Sequence, residues 1–98
     1  MHIRDVRMDP PAKKTVDATT TELLAEDGDR KYAIFFNDSN ETVYLGIGHP
    51  AILNQGPRMN AEGGFYELLR APGGNFSMQV VNAICASGGK NVTIQTGR

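Results

Sequence analysis

Few residues in this chain could do covalent or metal chemistry: two histidines, His2 and His49, one cysteine, Cys85, and eleven carboxylates. A nucleophilic triad needs a base beside its nucleophile. His2 lies in a charged N-terminal stretch and His49 in a Gly48-His49-Pro50 turn, and the spacing pairs neither with a serine or cysteine. A metal centre needs closely spaced ligands, which the His and Cys positions do not supply. Glu62 and Glu67 could form a glycosidase-like carboxylate pair, but acidic residues along strands are also ordinary devices for keeping sheet edges soluble. Gly63-Gly64, Gly73-Gly74 and Gly88-Gly89 each lead into strand-like sequence and not into a helix, so they are turns and not phosphate cradles. Tyr32, Tyr44 and Tyr66 are not interleaved with Lys or Arg, apart from Lys31, as a single-stranded nucleic-acid face requires. The expectation is a protein without catalytic residues, metal or cofactor, and without nucleic acid as partner.

The elements that would position any site are short. A chain of 98 residues is one domain, and a domain of that size buries roughly 60 to 70% of the surface its unfolded chain exposes. Eleven Gly, five Pro and 40% hydrophobic content fit many strands and tight turns better than a helical bundle. With one cysteine no intrachain disulfide forms, and Cys85, inside an apolar strand, reads as a buried small hydrophobe. No apolar run approaches the ~20 residues of a membrane span, and the N-terminus has no apolar signal core, so a soluble protein made in a cytoplasm and without a membrane partner is expected. The net charge of −1 hides an asymmetry: residues 1–14 carry Arg4, Arg7, Lys13 and Lys14 against Asp5 and Asp9, while the rest carries more acid than base. A basic arm on an acidic body suits docking on an acidic neighbour, including another copy.

Lys31 to Gly48 reads as a β-hairpin. Tyr32 to Phe36 has no polar interruption, so this strand is expected mid-sheet with both faces covered. Asn37 to Glu41 turns the chain, and Val43, Leu45 and Ile47 alternate with lighter positions on the return. Before the hairpin, residues 1–14 form an extended arm, because Pro10 and Pro11 exclude a helix, and Ile3, Val6 and Met8 are too apolar for a tail that only meets water. The alternative is a terminal strand on the edge of the domain itself. Residues 15–26 read as two short strands or one bent one, with a short helix over Glu22 to Ala25 as the competitor. Gly48 to Asn60, carrying Ile52, Leu53 and Arg58, is a loop long enough to be a contact surface. Phe65 to Leu69 is a strand, and Asn75 to Ala86 is the longest one. On it Phe76, Met78, Val80, Ile84 and Ala86 form the richer face, which Asn82 interrupts, requiring a partner or a bulge. Ser87 to Lys90 make a hairpin turn into Asn91 to Thr96. The resulting class is all-β: an antiparallel β-sandwich or small barrel, jelly-roll-like, over residues 15–98, with the extended N-terminal arm at 1–14.

Arg30-Lys31-Tyr32 leading into an aliphatic and aromatic strand, Asn37-Asp38-Ser39, Val43-Tyr44-Leu45-Gly46, then Glu62 to Leu68 and Ala83 to Gly89, resemble small β-domain structural proteins of tailed-phage virions. The resemblance spans roughly Thr19 to Thr96, excludes the arm, and transfers no catalytic position. It implies a component of the virion, and at this size a capsid decoration or cement protein. Such proteins often sit on the head as trimers. The contact residues expected against the phage major capsid protein or adjacent copies are Ile3, Arg4, Val6, Arg7, Met8, Pro10 and Pro11 of the arm, with Ile52, Leu53 and Arg58 of the loop. A receptor- or carbohydrate-binding module of a tail or head fibre is the alternative, favoured if Tyr44 and Tyr66 cluster at one loop end. An enzyme would need His49 to converge with Glu62 or Glu67.

Overall fold

Alternation of apolar and polar side chains with a period of two leaves one face of each segment to bury, and only a second sheet can cover it. In the computed structural model, which describes residues 7–69 and 79–98, that pattern becomes eight strands. They are β1 (Ala12–Val16), β2 (Thr21–Leu24), β3 (Tyr32–Asn37), β4 (Val43–Ile47), β5 (Arg58–Met59), β6 (Phe65–Leu69), β7 (Val81–Ile84) and β8 (Lys90–Gly97). Two antiparallel four-stranded sheets result, ordered β1-β8-β3-β6 and β2-β7-β4-β5. The nested pairs β1 with β8, β2 with β7, β3 with β6 and β4 with β5 describe one long double-stranded ribbon. Rolling that ribbon brings β8 against β3 and β7 against β4 as well, which is jelly-roll connectivity. Between the sheets lie Val16, Leu23, Phe35, Val43, Leu45, Met59, Leu68, Val81, Val92 and Ile94, all buried, with Ala33, Ala83 and Cys85.

The jelly roll overturns both expected hairpins. β3 and β4 do not pair: β3 lies between β8 and β6 in one sheet, and β4 between β7 and β5 in the other. Asn37 to Glu41 is therefore an arch from sheet to sheet, and Ser87 to Gly89, between β7 and β8, is another. Side by side in one sheet, β3 and β4 would point Phe35, Val43 and Leu45 the same way and leave them uncovered. In opposite sheets these residues bury one another. β3 is central as expected, but its second face is only partly covered: Ala33, Phe35 and Asn37 are buried, whereas Tyr32 and Ile34 are half-buried and Phe36 is exposed.

Register explains a second correction. Leu45 opposes Ala83, and both point into the core, which puts Val81, Ala83 and Cys85 inside and Asn82 and Ile84 outside. The expected richer face is thus the outer one. Asn82 finds the partner its position demands in the carbonyl of His49, 2.8 Å from its Nδ2, and a register irregularity falls opposite it, between Glu22 and Leu24. Asn75 to Met78 lie outside the described residues, and among those described β8, with eight residues, is the longest strand.

Residues 15–26 contain the end of β1 and all of β2, and no helix. Ala12 to Lys14, assigned to the arm from sequence, belong to β1, which runs along the outer side of β8. Upstream the same pairing continues: Met8 bridges Gly97, Arg7 N donates to Arg98 O at 2.7 Å, Arg98 N to Arg7 O at 2.9 Å, and Asp9 N to Thr96 O at 2.8 Å. Two prolines interrupt the ladder where an edge strand tolerates them. Residues 1–6 lie outside the described residues.

Candidate interaction surfaces

Gly48 to Pro57 leaves β4 and folds back over the outer face of its own sheet. Gly46 makes this approach fit: a Cβ there would stand 2.6 Å from both Ala51 N and His49 O, and 2.7 Å from Pro50 C. Thr20 Oγ1 accepts from Ala51 N at 2.9 Å, Asn82 Nδ2 donates to His49 O, and Leu45 N donates to Pro57 O at 2.7 Å. With Ala51 buried, the loop is fastened at both ends, and its tip carries Ile52 and Leu53, 51% and 36% exposed. Beside the tip the Arg58 guanidinium lies 5.0 Å from the centre of the Tyr44 ring, whose hydroxyl donates to Asn54 Oδ1 at 3.0 Å. Arg58, on β5, is thus linked through Tyr44 to Asn54 of the same loop.

The other predicted contacts stand elsewhere. Arg7, Met8, Pro10 and Pro11 are exposed along the β8 edge of the opposite sheet, while Ile3, Arg4 and Val6 lie outside the described residues. Tyr44 and Tyr66 do not cluster: Tyr44 lies on the outer face of the β2-β7-β4-β5 sheet under Arg58, and Tyr66 packs on the core from β6. Nor do His49, Glu62 and Glu67 meet. His49 lies in the folded-back loop with its Nδ1 2.7 Å from Pro50 O, Glu62 forms the β5–β6 turn with its N 2.8 Å from Ser39 O, and Glu67 is on the outer face of the other sheet, bonded by the Tyr32 hydroxyl. Among the described residues no three His, Cys, Asp or Glu side chains are placed to hold a metal ion.

One surface pairs two residues that the sequence does not join. On the outer face of the β1-β8-β3-β6 sheet, Phe36 of β3 directly opposes Phe65 of β6, their ring centres 6.2 Å apart. Phe65 is 62% exposed and Phe36 37%. The signal was the alternation itself: Tyr32, Ile34 and Phe36 share a parity opposite to Ala33 and Phe35. An unbroken apolar run hides that difference.

Polar groups brace both ends of the sandwich. At one end Asn37, fully buried, donates from Nδ2 to the carbonyls of Glu41 (2.7 Å), Met59 (3.0 Å) and Asn60 (3.2 Å) and accepts on Oδ1 from Ser39 N and Ser39 Oγ. Glu41 Oε1 accepts from Ser87 N at 2.7 Å and so ties the two arches together, and this hydrogen bond holds the Glu41 carboxyl below its ordinary range. At the other end a cleft of about 230 Å³ is lined in part by Asp27, Arg30, Thr96 and Arg98. Within it the buried Arg30 donates to Ala25 O (3.0 Å) and Gln79 O (2.5 Å), and Arg98 pairs with Asp27 at 2.8 Å. Burial pushes the Arg30 guanidinium down, against the upward pull of Asp27. Burial likewise raises the Cys85 thiol, which points at the Val16 carbonyl.

Desolvation and the bond to Glu67 push the Tyr32 hydroxyl from 10.0 up to about 12. A raised pKa means the folded state holds this proton more tightly, so the stabilisation is complete below pH 10 and disappears as pH rises toward 12. An ultraviolet titration should show one tyrosinate step near pH 12, absent in Tyr32→Phe and shifted toward 10 in Glu67→Gln. An unchanged step in both variants would contradict the assignment.

Comparison of the chain with family models, with curated proteins and with solved structures returns no match. What the geometry defines is a class of fold: among the described residues, an eight-stranded jelly-roll β-sandwich with an apolar loop tip and an aromatic sheet face.

Proposed function

We propose that this chain is a non-enzymatic structural protein of a tailed-phage virion, a capsid decoration or cement protein. In this reading it is made in the host cytoplasm, sits on the capsid surface as a homotrimer, and stabilises the lattice of the major capsid protein through its arm and the Gly48 to Pro57 loop. The observation that carries the reading is the fastened loop tip. Ile52 and Leu53 are held out from a loop pinned by Gly46, Thr20 and Asn82, so a partner meets apolar side chains whose ordering has largely been done in folding. Many such copies on a lattice bind by avidity even when each contact is weak. The resemblance of Arg30-Lys31-Tyr32, Asn37-Asp38-Ser39, Val43 to Gly46, Glu62 to Leu68 and Ala83 to Gly89 to virion β-domains supplies the choice of lattice. No cofactor, nucleic acid or membrane enters this reading.

The test is competition for heads of the phage that carries the coding sequence. Wild-type protein should displace labelled protein, whereas Ile52→Asp/Leu53→Asp, changed only at exposed positions, should need at least tenfold more. Removal of residues 1–6, which leaves β1 whole, should also weaken binding. If the loop variant and the truncation both compete as wild type does, the proposed contacts are wrong. Binding to glycans or host cells without binding to heads would instead support the receptor-binding module.

A further inference from the structure

We propose that the Gly48 to Pro57 loop and Arg58 seat an acidic stretch of a protein partner, one carboxylate meeting the Arg58 guanidinium while an apolar neighbour packs on Ile52 and Leu53. The observation behind it is a cation without a counter-ion. Arg58 is exposed, its guanidinium lies 5.0 Å from the centre of the Tyr44 ring, and among the described residues it enters no ion pair. The stretch from Thr42 to Ala61 carries Arg58 and His49 but no aspartate or glutamate. On the outer face of the same sheet Glu22 stands exposed on β2, at the margin opposite β5. Three strand spacings of about 4.8 Å separate those two strands, further than the roughly 8 Å over which exposed charges act at physiological salt.

Arg58 is also oriented. Stacking on Tyr44 fixes the plane of the guanidinium, and the Tyr44 hydroxyl is itself held by Asn54 Oδ1 at 3.0 Å. One face of the plane is thereby covered, and its N–H edge, which can grip a carboxylate through two parallel hydrogen bonds, is left to a partner. Asn54 follows Ile52 and Leu53 directly in the chain, which brings the apolar tip and the cation within reach of one extended segment. A phosphate backbone fits less well. Nucleic acid is held by several cations together, and the four lysines lie on or beside β1, β3 and β8 of the other sheet. That the partner is the lattice protein rests on the proposed function, whereas the carboxylate it presents rests on Arg58.

Two measurements test it. In the competition for heads, Arg58→Glu should need about tenfold more protein than wild type, with Arg58→Lys between them, because an ammonium keeps the charge and loses the flat two-pronged grip. Added salt should weaken wild type more than Arg58→Gln. Arg58 is exposed, so all three variants should keep the β circular-dichroism spectrum. The isolated protein is then titrated by nuclear magnetic resonance with a leucine–glutamate–leucine peptide blocked at both ends, and with its glutamine counterpart. The glutamate peptide should shift the Arg58 Nε–H resonance and the Ile52 and Leu53 methyls more strongly than the glutamine peptide does, and Arg58→Gln should erase that difference. Equal responses to the two peptides, or a stronger response to an oligothymidine, would overturn the proposal. Wild type that ignores heads yet prefers the glutamate peptide sinks the decoration reading and leaves this site standing. Wild type that saturates heads, with Arg58→Glu competing equally well and no preference between the peptides, does the reverse.

Discussion

Asn37→Asp is expected to destabilise the fold strongly at pH 7 and to recover part of its stability on acidification. The Nδ2 group is the donor for three carbonyls, of Glu41, Met59 and Asn60, in a fully buried position. A carboxylate oxygen there has no hydrogen to give and faces three partial negative charges. Replacing a satisfied buried group with an uncompensated charge costs about 3–5 kcal/mol, a large part of the roughly 5–15 kcal/mol that holds a domain together. Such a carboxyl is forced above its unfolded value of about 3.9. Its protonated form is the tolerated one, so stability is highest below that pH and falls as pH rises through the folded-state value. Asn37→Ala also destabilises, by about 1–3 kcal/mol for each buried partner left unsatisfied, but without that pH dependence. Urea unfolding of both variants at pH 4 and pH 7 separates the two. Equal loss at both pH values for Asn37→Asp would show that the side chain is not enclosed by carbonyls.

Gly46→Ala is expected to lift the Gly48 to Pro57 loop while the core survives. The added methyl would stand 2.6 Å from Ala51 N and His49 O, and both are backbone atoms that cannot rotate away. Overpacking of this kind costs about 1–3 kcal/mol, and the lost bonds of Ala51 N to Thr20 and of Asn82 to His49 O add about 1 kcal/mol each. Amide exchange should report the change locally. Ala51 N–H loses its protection, whereas the β3 and β8 amides of the other sheet keep theirs. Head binding should fall with it, because Ile52 and Leu53 lose their base. A variant with wild-type exchange at Ala51 would mean that the loop does not rest on Gly46.

The class of fold was legible because alternation and turn chemistry are local properties, and seven or eight short strands without a long helix leave little besides a sandwich. Which strands pair was not. Asn37 to Glu41 has the composition of a hairpin turn, and nothing within those residues distinguishes a reversal in one sheet from an arch between two. The difference lies in the carbonyls of Met59 and Asn60, more than twenty residues away in sequence, which Asn37 reaches only after β5 has docked. The inward face of β7 was misread for a similar reason. Its bulk pointed to one face, but register against β4 chose Val81, Ala83 and Cys85, and the returning loop supplied Asn82 with the carbonyl that lets it lie outside. The loop tip, by contrast, was visible in sequence as Ile52 and Leu53 among turn residues. The pairing of Phe36 with Phe65 was not, since it is a cross-strand adjacency that no local pattern records.

The central claim is that this jelly roll binds a capsid lattice, and the most direct measurement is a titration of purified heads with labelled protein, counting copies retained at saturation. The account predicts saturation at a fixed whole number of copies per capsomer, with heads that rupture at higher temperature once coated. Retention that rises without limit, or none at all while the protein binds host envelope or glycans, would contradict it.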